Sequence, residues 1–404
     1  MPIGYWESEH LLAPADLTVI GAGIVGMSTA LHYKAQHPHE RVRIIERDVL
    51  GEGGTTRNAG FACFGGPGEW LDDLETLGRS KWLELIRMRA EGLRALIELL
   101  GEEALGMEWS GGWELFAPSP TGLKRSREAG ASLATLNEAV QPLMASILGH
   151  LAPHPLDTPA LVPSPARAAQ FGAHSAIHLP WEGMLHTGRM VSAFHKAIQV
   201  AGIQCLNGCT VSALEPPVAP HSAWSINTQR GVLKSRSIAI CTNGFAREIM
   251  PQAEVKPAPN RVLVLRPSKM PPPGAYHIED GYLYFRTLPD GQVLFGGGRH
   301  FGIELPPFPQ RDENAEDRWD ALLEQAATQW LGNIDAVSHR WTGWLGVGTD
   351  RVPLLGSTAP GLHHAVRMGG MGVAMGCGLG QQLAPSISAQ ESGCDQRYPS
   401  APVP

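Results

Sequence analysis

The sequence predicts an α/β protein, because an apolar run, a glycine-rich turn and a helical stretch follow one another twice, once near each end of the chain. The first occurrence covers residues 17–46, LTVIGAGIVGMSTALHYKAQHPHERVRIIE, and the second covers residues 364–387. Between them, alternating runs such as RVLVL at 261–265 and YLYFR at 282–286 predict a further sheet. We therefore expect one domain with helices packed on a sheet and a second domain built mainly from strands.

The glycines of the first stretch have the spacing G-x-G-x-x-G, at Gly21, Gly23 and Gly26. The first allows a sharp turn out of the strand, the second lets a pyrophosphate approach the backbone, and the third lets helix and strand pack closely. The N-terminus of the helix offers free N–H groups to phosphate. A second strand, 42–45, ends on Glu46, a carboxylate placed to bind ribose hydroxyls. This combination predicts a Rossmann-type dinucleotide-binding domain and leaves NAD and FAD open.

The stretch 51–70, GEGGTTRNAGFACFGGPGEW, favours FAD. A simple NAD domain would continue into a crossover helix, whereas this segment is rich in glycine and carries the hydroxylated pair Thr55 and Thr56. We expect the segment to lie extended beneath a larger cofactor. The Thr hydroxyls and backbone N–H groups would lie near phosphate, and Gly60 near a flat ring.

The composition is typical of a soluble globular protein of two domains. The chain has 404 residues, of which 43% are apolar and 18% charged, and its formal net charge is -7. Since it is not basic, nucleic acid is not the expected partner. The sequence has no apolar run long enough to span a membrane and no signal-peptide pattern, so we expect a cytoplasmic protein. The six cysteines and 16 histidines show no metal-ligand spacing, and neither a metal nor a disulfide framework is predicted.

The remaining segments alternate between helical and strand patterns. Apolar spacings of three and four predict helices at 71–100, 121–149, 190–200 and 312–330. Further strands are predicted at 111–116, 203–206, 210–214, 224–228, 237–241 and 293–295. The strand 237–241 leads into Thr242, Asn243 and Gly244, where small residues permit close backbone approach. The polar, proline-containing sequence of residues 391–404 predicts a flexible tail.

Six motifs follow one another along the chain: GAGIVG with Glu46, TTRNAGF, GMLHTGRM, CTNGFA, R-W-x-G…T-D-x-x-P-x-x-G at 340–356, and RMGGMGVAMG. In this order they resemble the D-amino-acid oxidase-like family of FAD-dependent oxidoreductases, with glycine oxidase and sarcosine oxidase among its members. The resemblance implies an FAD domain made of residues 1–80, 183–256 and 340–390. It also implies an interleaved antiparallel-sheet substrate domain made of residues 81–182 and 257–339.

The same motifs imply which residues contact FAD. The candidates are Gly21, Ala22, Gly23, Ile24, Gly26, Glu46, Arg47, Thr55, Thr56, Arg57, Asn58, Ala59, Gly60, Val211, Thr242, Gly244, Gly370, Met371, Gly372 and Val373.

The family resemblance implies oxidation of a C–N bond, with hydride transfer to flavin N5 from the carbon beside a neutral amine. Such a reaction requires no strong general base. The N-terminus of the helix after Gly372 is suited to stabilise negative charge on the flavin pyrimidine ring, through the backbone of Gly370, Met371 and Gly372.

The chain departs from the family where many members hold a substrate carboxylate. An arginine is usual two places after the glycine of W-x-G, and here that position is Leu345. Arg286 and Arg299 are the alternative carboxylate partners, flanked by Tyr282, Tyr284 and His300. A surface or interstrand salt bridge explains either arginine equally well.

Two other departures concern the electron acceptor and the cofactor linkage. Phe295 matches the position of a lysine that activates oxygen in some members, so oxygen and another electron acceptor both stay open. The flavin-linked cysteine of other members has no counterpart at 345–348, which predicts non-covalent FAD. Oxidation of a 2-hydroxy acid, with His300 as base, is an alternative function. A non-catalytic flavoprotein and a nucleic-acid-modifying domain are further alternatives, the last disfavoured by the acidic composition.

Overall fold

The computed structural model describes residues 4–218, 222–306 and 310–391. The predicted tail, 391–404, lies outside these residues except for Glu391, which ends the last helix. The α-helices are α1 Ile24–Gln36, α2 Gly54–Arg57, α3 Pro67–Leu77, α4 Arg79–Leu100, α5 Glu102–Leu105, α6 Pro120–Leu148, α7 Pro165–Phe171, α8 Thr187–Val200, α9 Glu313–Leu331 and α10 Gly372–Glu391.

The strands are β1 Ala15–Ile20, β2 Val42–Ile45, β3 Phe61–Ala62, β4 Gly112–Phe116, β5 Val162–Pro163, β6 Ser175–Leu179, β7 Gly183–Met184, β8 Gln204–Leu206, β9 Val211–Glu215, β10 Trp224–Thr228, β11 Gly231–Ile240, β12 Lys256–Pro267, β13 Ala275–Ile278, β14 Leu283–Thr287, β15 Val293–Gly297, β16 Ile334–Val347, β17 Leu354–Ala359 and β18 Leu362–Val366. None of the described helices is both long enough and apolar enough to cross a membrane.

The chain folds into two compact units. The first unit comprises Met1–Thr56, Met190–Ala258 and Leu345–Pro404, and the second comprises Arg57–Arg189 and Pro259–Trp344. Each unit is therefore assembled from segments that are distant in sequence.

The first unit has a parallel sheet at its centre. The strand order is β17-β18-β11-β1-β2-β8, in which β18, β11, β1, β2 and β8 run parallel, while β9 and β10 extend β11 as an antiparallel meander. The strands β1 and β2 are buried almost throughout, which explains their continuous apolar sequences. The predicted α/β fold with a Rossmann-type domain is confirmed.

Two helices of the first unit, α1 and α10, pack against each other. A side chain at Gly376 would contact Ile24, and one at Gly380 would lie 2.6 Å from Ser28. These contacts advance in the same direction along both helices, so α1 and α10 are parallel and their N-termini lie at the same end. Both positive dipole ends therefore act on one region of the unit.

The second unit is built on a mainly antiparallel sheet with the order β16-β12-β15-β14-β13-β4-β6-β5. One face carries the apolar core, in which Phe285 and Phe295 lie with Trp319 and Leu323 of α9. Because side chains alternate along a strand, the neighbouring positions of β14 point to the opposite face. That opposite face is polar, and the predicted antiparallel sheet is confirmed.

The structure corrects three predictions about local organisation. The segment after β2 is not extended throughout, because Gly54–Arg57 forms one helical turn, closed by a hydrogen bond from Thr56 Oγ1 to Gly51 O (2.6 Å). The helix predicted at 71–100 is two helices, interrupted at Gly78, whose φ is 77°. Residues 57–80 belong to the second unit, since α3 packs on α4 and α6 and β3 pairs with β7.

Candidate active site

The first glycine turn, between β1 and α1, has backbone geometry that excludes larger residues. Gly21 has φ 103°, and a Cβ there would lie 2.8 Å from Cys241 O. A Cβ on Gly26 would lie 2.0 Å from Gly21 O, so α1 can pack on β1 only with glycine at this position. Gly23 immediately precedes α1 in an extended conformation. This turn is the cradle that a pyrophosphate requires.

Polar side chains are already directed at the N-terminus of α1. Glu46 accepts hydrogen bonds through Oε2 from Ala22 N (2.9 Å) and through Oε1 from Asp48 N (3.1 Å). Thr55 Oγ1 accepts a hydrogen bond from Ile24 N (2.9 Å). The carboxylate at the end of β2 thus lies over the glycine turn, where the ribose hydroxyls of a dinucleotide would bind.

An unsatisfied hydroxyl supports the fit of a dinucleotide at this turn. Thr242 follows β11 beside Gly21, and its buried Oγ1 has no hydrogen-bond partner among the described residues. A buried hydroxyl without a partner is costly, so a polar ligand group nearby would stabilise it. Gly244 has its Cα close to Leu345 O, which a Cβ would approach to 2.6 Å.

The second glycine turn precedes α10. Arg367, Gly369 and Gly370 have positive φ values of 69°, 58° and 95°. Met371 N donates to Met368 O (2.9 Å), and α10 begins at Gly372. The turn therefore presents the N-terminus of α10, as the sequence predicts for stabilising an electron-rich ring.

Asn243 holds this second turn and was not among the predicted site residues. Its Oδ1 accepts hydrogen bonds from Arg367 N and Met368 N, both at 3.1 Å, and its own φ is 48°. The feature of the sequence that could have indicated this role is the position of Asn243 directly after β11, among small residues. Asn243 thus links the ends of β11 and β18.

Replacing Asn243 with Ala is expected to lower the free energy of unfolding by about 2 to 3 kcal/mol, because two N–H groups lose their acceptor and Ala must adopt a positive φ. Asn243→Asp keeps an acceptor and should recover most of the loss, whereas Asn243→Gly should recover only the backbone part. Urea unfolding measures all three. Equal stability of the Ala and Asp variants would contradict this role.

The T-D-x-x-P pattern has a structural explanation within the first unit. Arg367 donates to Asp350 Oδ1 (2.8 Å) and to Val352 O (2.7 Å), while Asp350 Oδ1 also accepts from Val352 N (2.9 Å). Leu345 Cδ1 lies 3.7 Å from the position of a Cβ on Gly370. At the place of the family arginine, this chain therefore has an apolar side chain beside the second turn.

Other predicted cofactor contacts have partners within the protein. Arg47 lies over the Phe245 ring (4.1 Å) and pairs with Glu248 (3.3 Å). The Thr56 hydroxyl is used in closing its own turn. Val211 begins β9, and Val373 is buried in the first turn of α10. Their contact with FAD stays a prediction.

The predicted contacts at 57–60 belong to the second unit. Arg57 O accepts from Trp341 Nε1 (3.0 Å), and Asn58 Oδ1 accepts from Gly60 N (2.8 Å) and from Thr187 Oγ1 (2.8 Å). The carbonyls of Ala59 and Gly60 accept from a side chain of β14, described next. This loop is thus rigidly tied within its own unit.

Arg286 on β14 supplies that side chain. Its Nη1 donates to Ala59 O (3.2 Å), Gly60 O (3.0 Å) and Leu185 O (2.7 Å). The side chain is buried, and burial lowers its pKa to about 10. Among the described residues no carboxylate pairs with Arg286, its buried Nε has no hydrogen-bond partner, and Nη2 makes no hydrogen bond. The edge of the guanidinium formed by Nε and Nη2 is therefore unsatisfied among the described residues.

Arg299, Tyr282 and His300 form a separate, more exposed group. The Arg299 guanidinium lies 5.6 Å from the Tyr282 ring, and 42% of Tyr282 is exposed. His300 Nε2 lies 3.1 Å from Glu279 Oε2, and burial lowers the His300 pKa although Glu279 opposes the shift. Arg299 thus contacts an exposed aromatic ring and His300 pairs with a carboxylate, an arrangement more typical of a protein surface than of an enclosed catalytic site.

The polar face of the second sheet carries a row of three residues, of which the sequence analysis named only Tyr284. Glu114 on β4 lies opposite His277 on β13, which lies opposite Tyr284 on β14. Tyr284 Oη accepts a hydrogen bond from Asn260 Nδ2 (2.5 Å). The polar residues between apolar ones in these strands are visible in the sequence, but the pairing of strands from distant segments is not.

His277 has a carboxylate partner. Its Nε2 lies 3.3 Å from Glu182 Oε2, and Glu182 Oε1 accepts from Phe64 N (2.9 Å). Burial disfavours the imidazolium, but the hydrogen bond to Glu182 and the negative charges of Glu182, Glu114 and Glu69 together outweigh this and raise the pKa of His277. Burial also raises the pKa of Cys63 well above its usual value and that of Glu114 to about 8.

Replacing Glu114 with Gln is expected to stabilise the protein at alkaline pH. Since the folded state raises the Glu114 pKa from 4.5 to about 8, folding binds a proton, and the stability contributed by this group falls as pH rises between these values. The gain over wild type should be near zero below pH ~4.5 and on the order of 5 kcal/mol above pH ~8. Urea unfolding at several pH values tests this, with exposed Glu138→Gln as control; a gain that does not grow with pH contradicts it.

The parallel sheet, the two glycine turns and Glu46 together define a dinucleotide-binding protein. Sequence comparison identifies its family. The family described as FAD dependent oxidoreductase, DAO, matches residues 16–385. The chain therefore belongs to this family of FAD-dependent oxidoreductases, and FAD is its cofactor. A comparison with curated proteins gives no significant match.

Solved structures share the fold over nearly the whole chain. Glycine oxidase from Geobacillus kaustophilus is 15% identical, with a TM-score of 0.67 and 96% of each chain covered. Iminodiacetate oxidase from Chelativorans sp. BNC1 is 17% identical, with a TM-score of 0.67 and 95% of this chain and 97% of that chain covered. L-proline dehydrogenase from P. horikoshii is 16% identical, with a TM-score of 0.65 and 95% of each chain covered.

Proposed function

We propose that this protein oxidises the C–N bond of a small amino acid or amine that carries a carboxylate. FAD, when bound, accepts the hydride from the carbon beside the amine. The first unit is proposed to hold FAD, and Arg286 of the second unit to bind the carboxylate. The names of similar proteins, glycine oxidase and iminodiacetate oxidase, agree with this substrate class.

The observation that carries the proposal is the state of the Arg286 guanidinium. Three carbonyls fix Nη1, while Nε and Nη2 make no hydrogen bond to the described residues. The edge formed by Nε and Nη2 is one of those that bind a carboxylate with two parallel hydrogen bonds. A buried cation without a protein carboxylate is unfavourable, and a substrate carboxylate would compensate it.

Residues of the first unit fit FAD in defined roles. Gly21 and Gly26 form the turn for the pyrophosphate, and Glu46 would bind the ribose hydroxyls. The N-terminus of α10 at Gly372 would stabilise negative charge on the flavin ring. These assignments need only backbone N–H groups and one carboxylate.

Anaerobic titration with a substrate panel tests the proposed function. The panel contains small amino acids, N-substituted amino acids, the same amines without a carboxyl group, and 2-hydroxy acids. We expect an amine bearing a carboxylate to bleach the visible flavin absorbance. Bleaching by 2-hydroxy acids alone, or by no member of the panel, would refute the proposal. Repeating the titration with oxygen present shows whether oxygen is the acceptor.

Acid precipitation of the holoprotein is expected to release all flavin into the supernatant. In other members of the family, the cysteine that is linked to the flavin occurs at the positions that match 345–348. These four residues are Leu-Gly-Val-Gly in this chain, so no thioether can form there. Flavin absorbance in pellet and supernatant gives the partition. Flavin that stays with the pellet and fluoresces on a denaturing gel would contradict non-covalent binding.

A further inference from the structure

We propose that Cys63, Glu182 and His277 form a binding site for one divalent transition-metal ion of the zinc class. Their ligand atoms, a thiol sulfur, a carboxylate oxygen and an imidazole nitrogen, all lie within 4.8 Å of one another. None of the three residues is among the proposed FAD or carboxylate contacts, and all three lie within the second unit. Sulfur, nitrogen and oxygen donors of these types are the zinc ligands of proteins.

The three donors come from separate parts of the chain. Cys63 directly follows β3, Glu182 precedes β7, and His277 lies on β13. The pairing of β3 with β7 and the hydrogen bond from Phe64 N to Glu182 Oε1 hold the first two together. Since 119 positions separate Cys63 from Glu182 and 95 separate Glu182 from His277, no ligand spacing could reveal the site in the sequence.

The surroundings restrict which ions fit. Cys63, Glu182 and His277 are 8%, 1% and 9% exposed, so few waters can complete a coordination shell. Ions such as Mg²⁺ keep several waters and prefer oxygen donors, whereas zinc accepts four ligands with sulfur and nitrogen among them. Three protein ligands leave one position of a tetrahedron open.

A fourth buried group provides independent support. Glu114, opposite His277 across the β4–β13 pair, is 1% exposed, and its Oε2 has no hydrogen-bond partner among the described residues. Glycines provide the space for both carboxylates, because a Cβ on Gly112 would lie 2.1 Å from Glu182 Oε2 and one on Gly66 would lie 2.0 Å from Glu114 Oε2. The cluster therefore has room for buried acidic groups and one unsatisfied oxygen beside it.

The release of protons from the ligands offsets the positive charge of the ion. The Cys63 thiol loses its proton when its sulfur binds the metal, and His277 must present an unprotonated Nε2, so protons leave as the cation enters. Binding would cross-link β3, the segment before β7 and β13.

Zinc uptake by the FAD-loaded protein tests the site. After treatment with a chelator and dialysis against Zn²⁺, about one zinc per chain should be retained, measured by plasma mass spectrometry. X-ray absorption should show one sulfur at ~2.3 Å and nitrogen or oxygen neighbours at ~2.0–2.1 Å. Failure to retain zinc, or retained zinc without a sulfur neighbour, would overturn the proposal.

Matched variants identify the ligands. Cys63→Ser should lower zinc affinity by at least ~100-fold and remove the sulfur signal, whereas exposed Cys205→Ser should leave both unchanged. Glu182→Gln, which keeps the side-chain size, provides a second loss of affinity if Cys63→Ser does not fold. Unchanged affinity in the folded Cys63 or Glu182 variant overturns the assignment.

Discussion

Replacing Arg286 with Gln is expected to lower kcat/KM for the amino-acid substrate by about 100-fold, since removing one partner of a buried charge pair costs roughly 2 to 5 kcal/mol. The amine without its carboxyl group should react nearly as well in the variant as in the wild type. Stopped-flow bleaching of the flavin, with both substrates, gives for each protein the ratio of kcat/KM for the amino acid to kcat/KM for the amine. A large fall in this ratio from the wild type to the variant is the expected signature of carboxylate binding.

The ratio separates substrate binding from a structural role. Arg286 also donates to three carbonyls, so any substitution disturbs the loop at 59–60 and Leu185. A purely structural role would lower both specificity constants equally and leave their ratio unchanged, which would contradict the proposal. Arg286→Lys keeps the positive charge but cannot bind a carboxylate with two parallel hydrogen bonds. Its ratio should therefore lie between those of Arg286→Gln and the wild type. Arg299→Gln, the more exposed alternative, should have the wild-type ratio.

Replacing Gly26 with Ala is expected to abolish FAD binding and to lower the free energy of unfolding by about 3 kcal/mol or more. The new Cβ would lie 2.0 Å from Gly21 O and 3.1 Å from Val19 Cγ1. The Gly21 carbonyl is part of the backbone and cannot rotate away from the new Cβ as a side chain could. Helix α1 must therefore move off β1, and the glycine turn must open. The protein should purify colourless, with little flavin absorbance per chain.

A nearby glycine provides the control for this substitution. Gly53 lies in the same N-terminal segment of the first unit, its φ is not in the left-handed region, and a Cβ there would meet nothing within 4 Å. Gly53→Ala should therefore bind FAD like the wild type. The flavin content and the urea midpoint of both variants decide the matter. Normal flavin content in Gly26→Ala would show that the close packing of α1 on β1 is not needed for the cofactor.

The first glycine turn was predictable from the sequence because its requirements are local. Gly21, Gly23 and Gly26 act through backbone geometry within a few residues, and Glu46 follows at the end of the next strand. The strand at 42–45 was predicted with the bounds that the structure has. The second turn, at Gly369 and Gly370, follows the same logic.

The polar face of the second sheet was not predictable in the same way. Glu114, His277 and Tyr284 come from three strands, and only the register of β4, β13 and β14 brings them into one row. Cys63 and Glu182 join this row through the pairing of β3 with β7. Strand register depends on packing of the whole sheet, which no short motif records.

The sequence by itself therefore determined the α/β class and the dinucleotide turn, because each depends on residues close together in the chain, and the order of six motifs along the chain indicated FAD. Tertiary structure decided that Arg286 is buried without a protein carboxylate, whereas Arg299 lies over a half-exposed Tyr282 ring. It also decided that Cys63, Glu182 and His277 meet. Burial and the pairing of distant segments set the charge state and the partners of these side chains, and neither is written in local sequence.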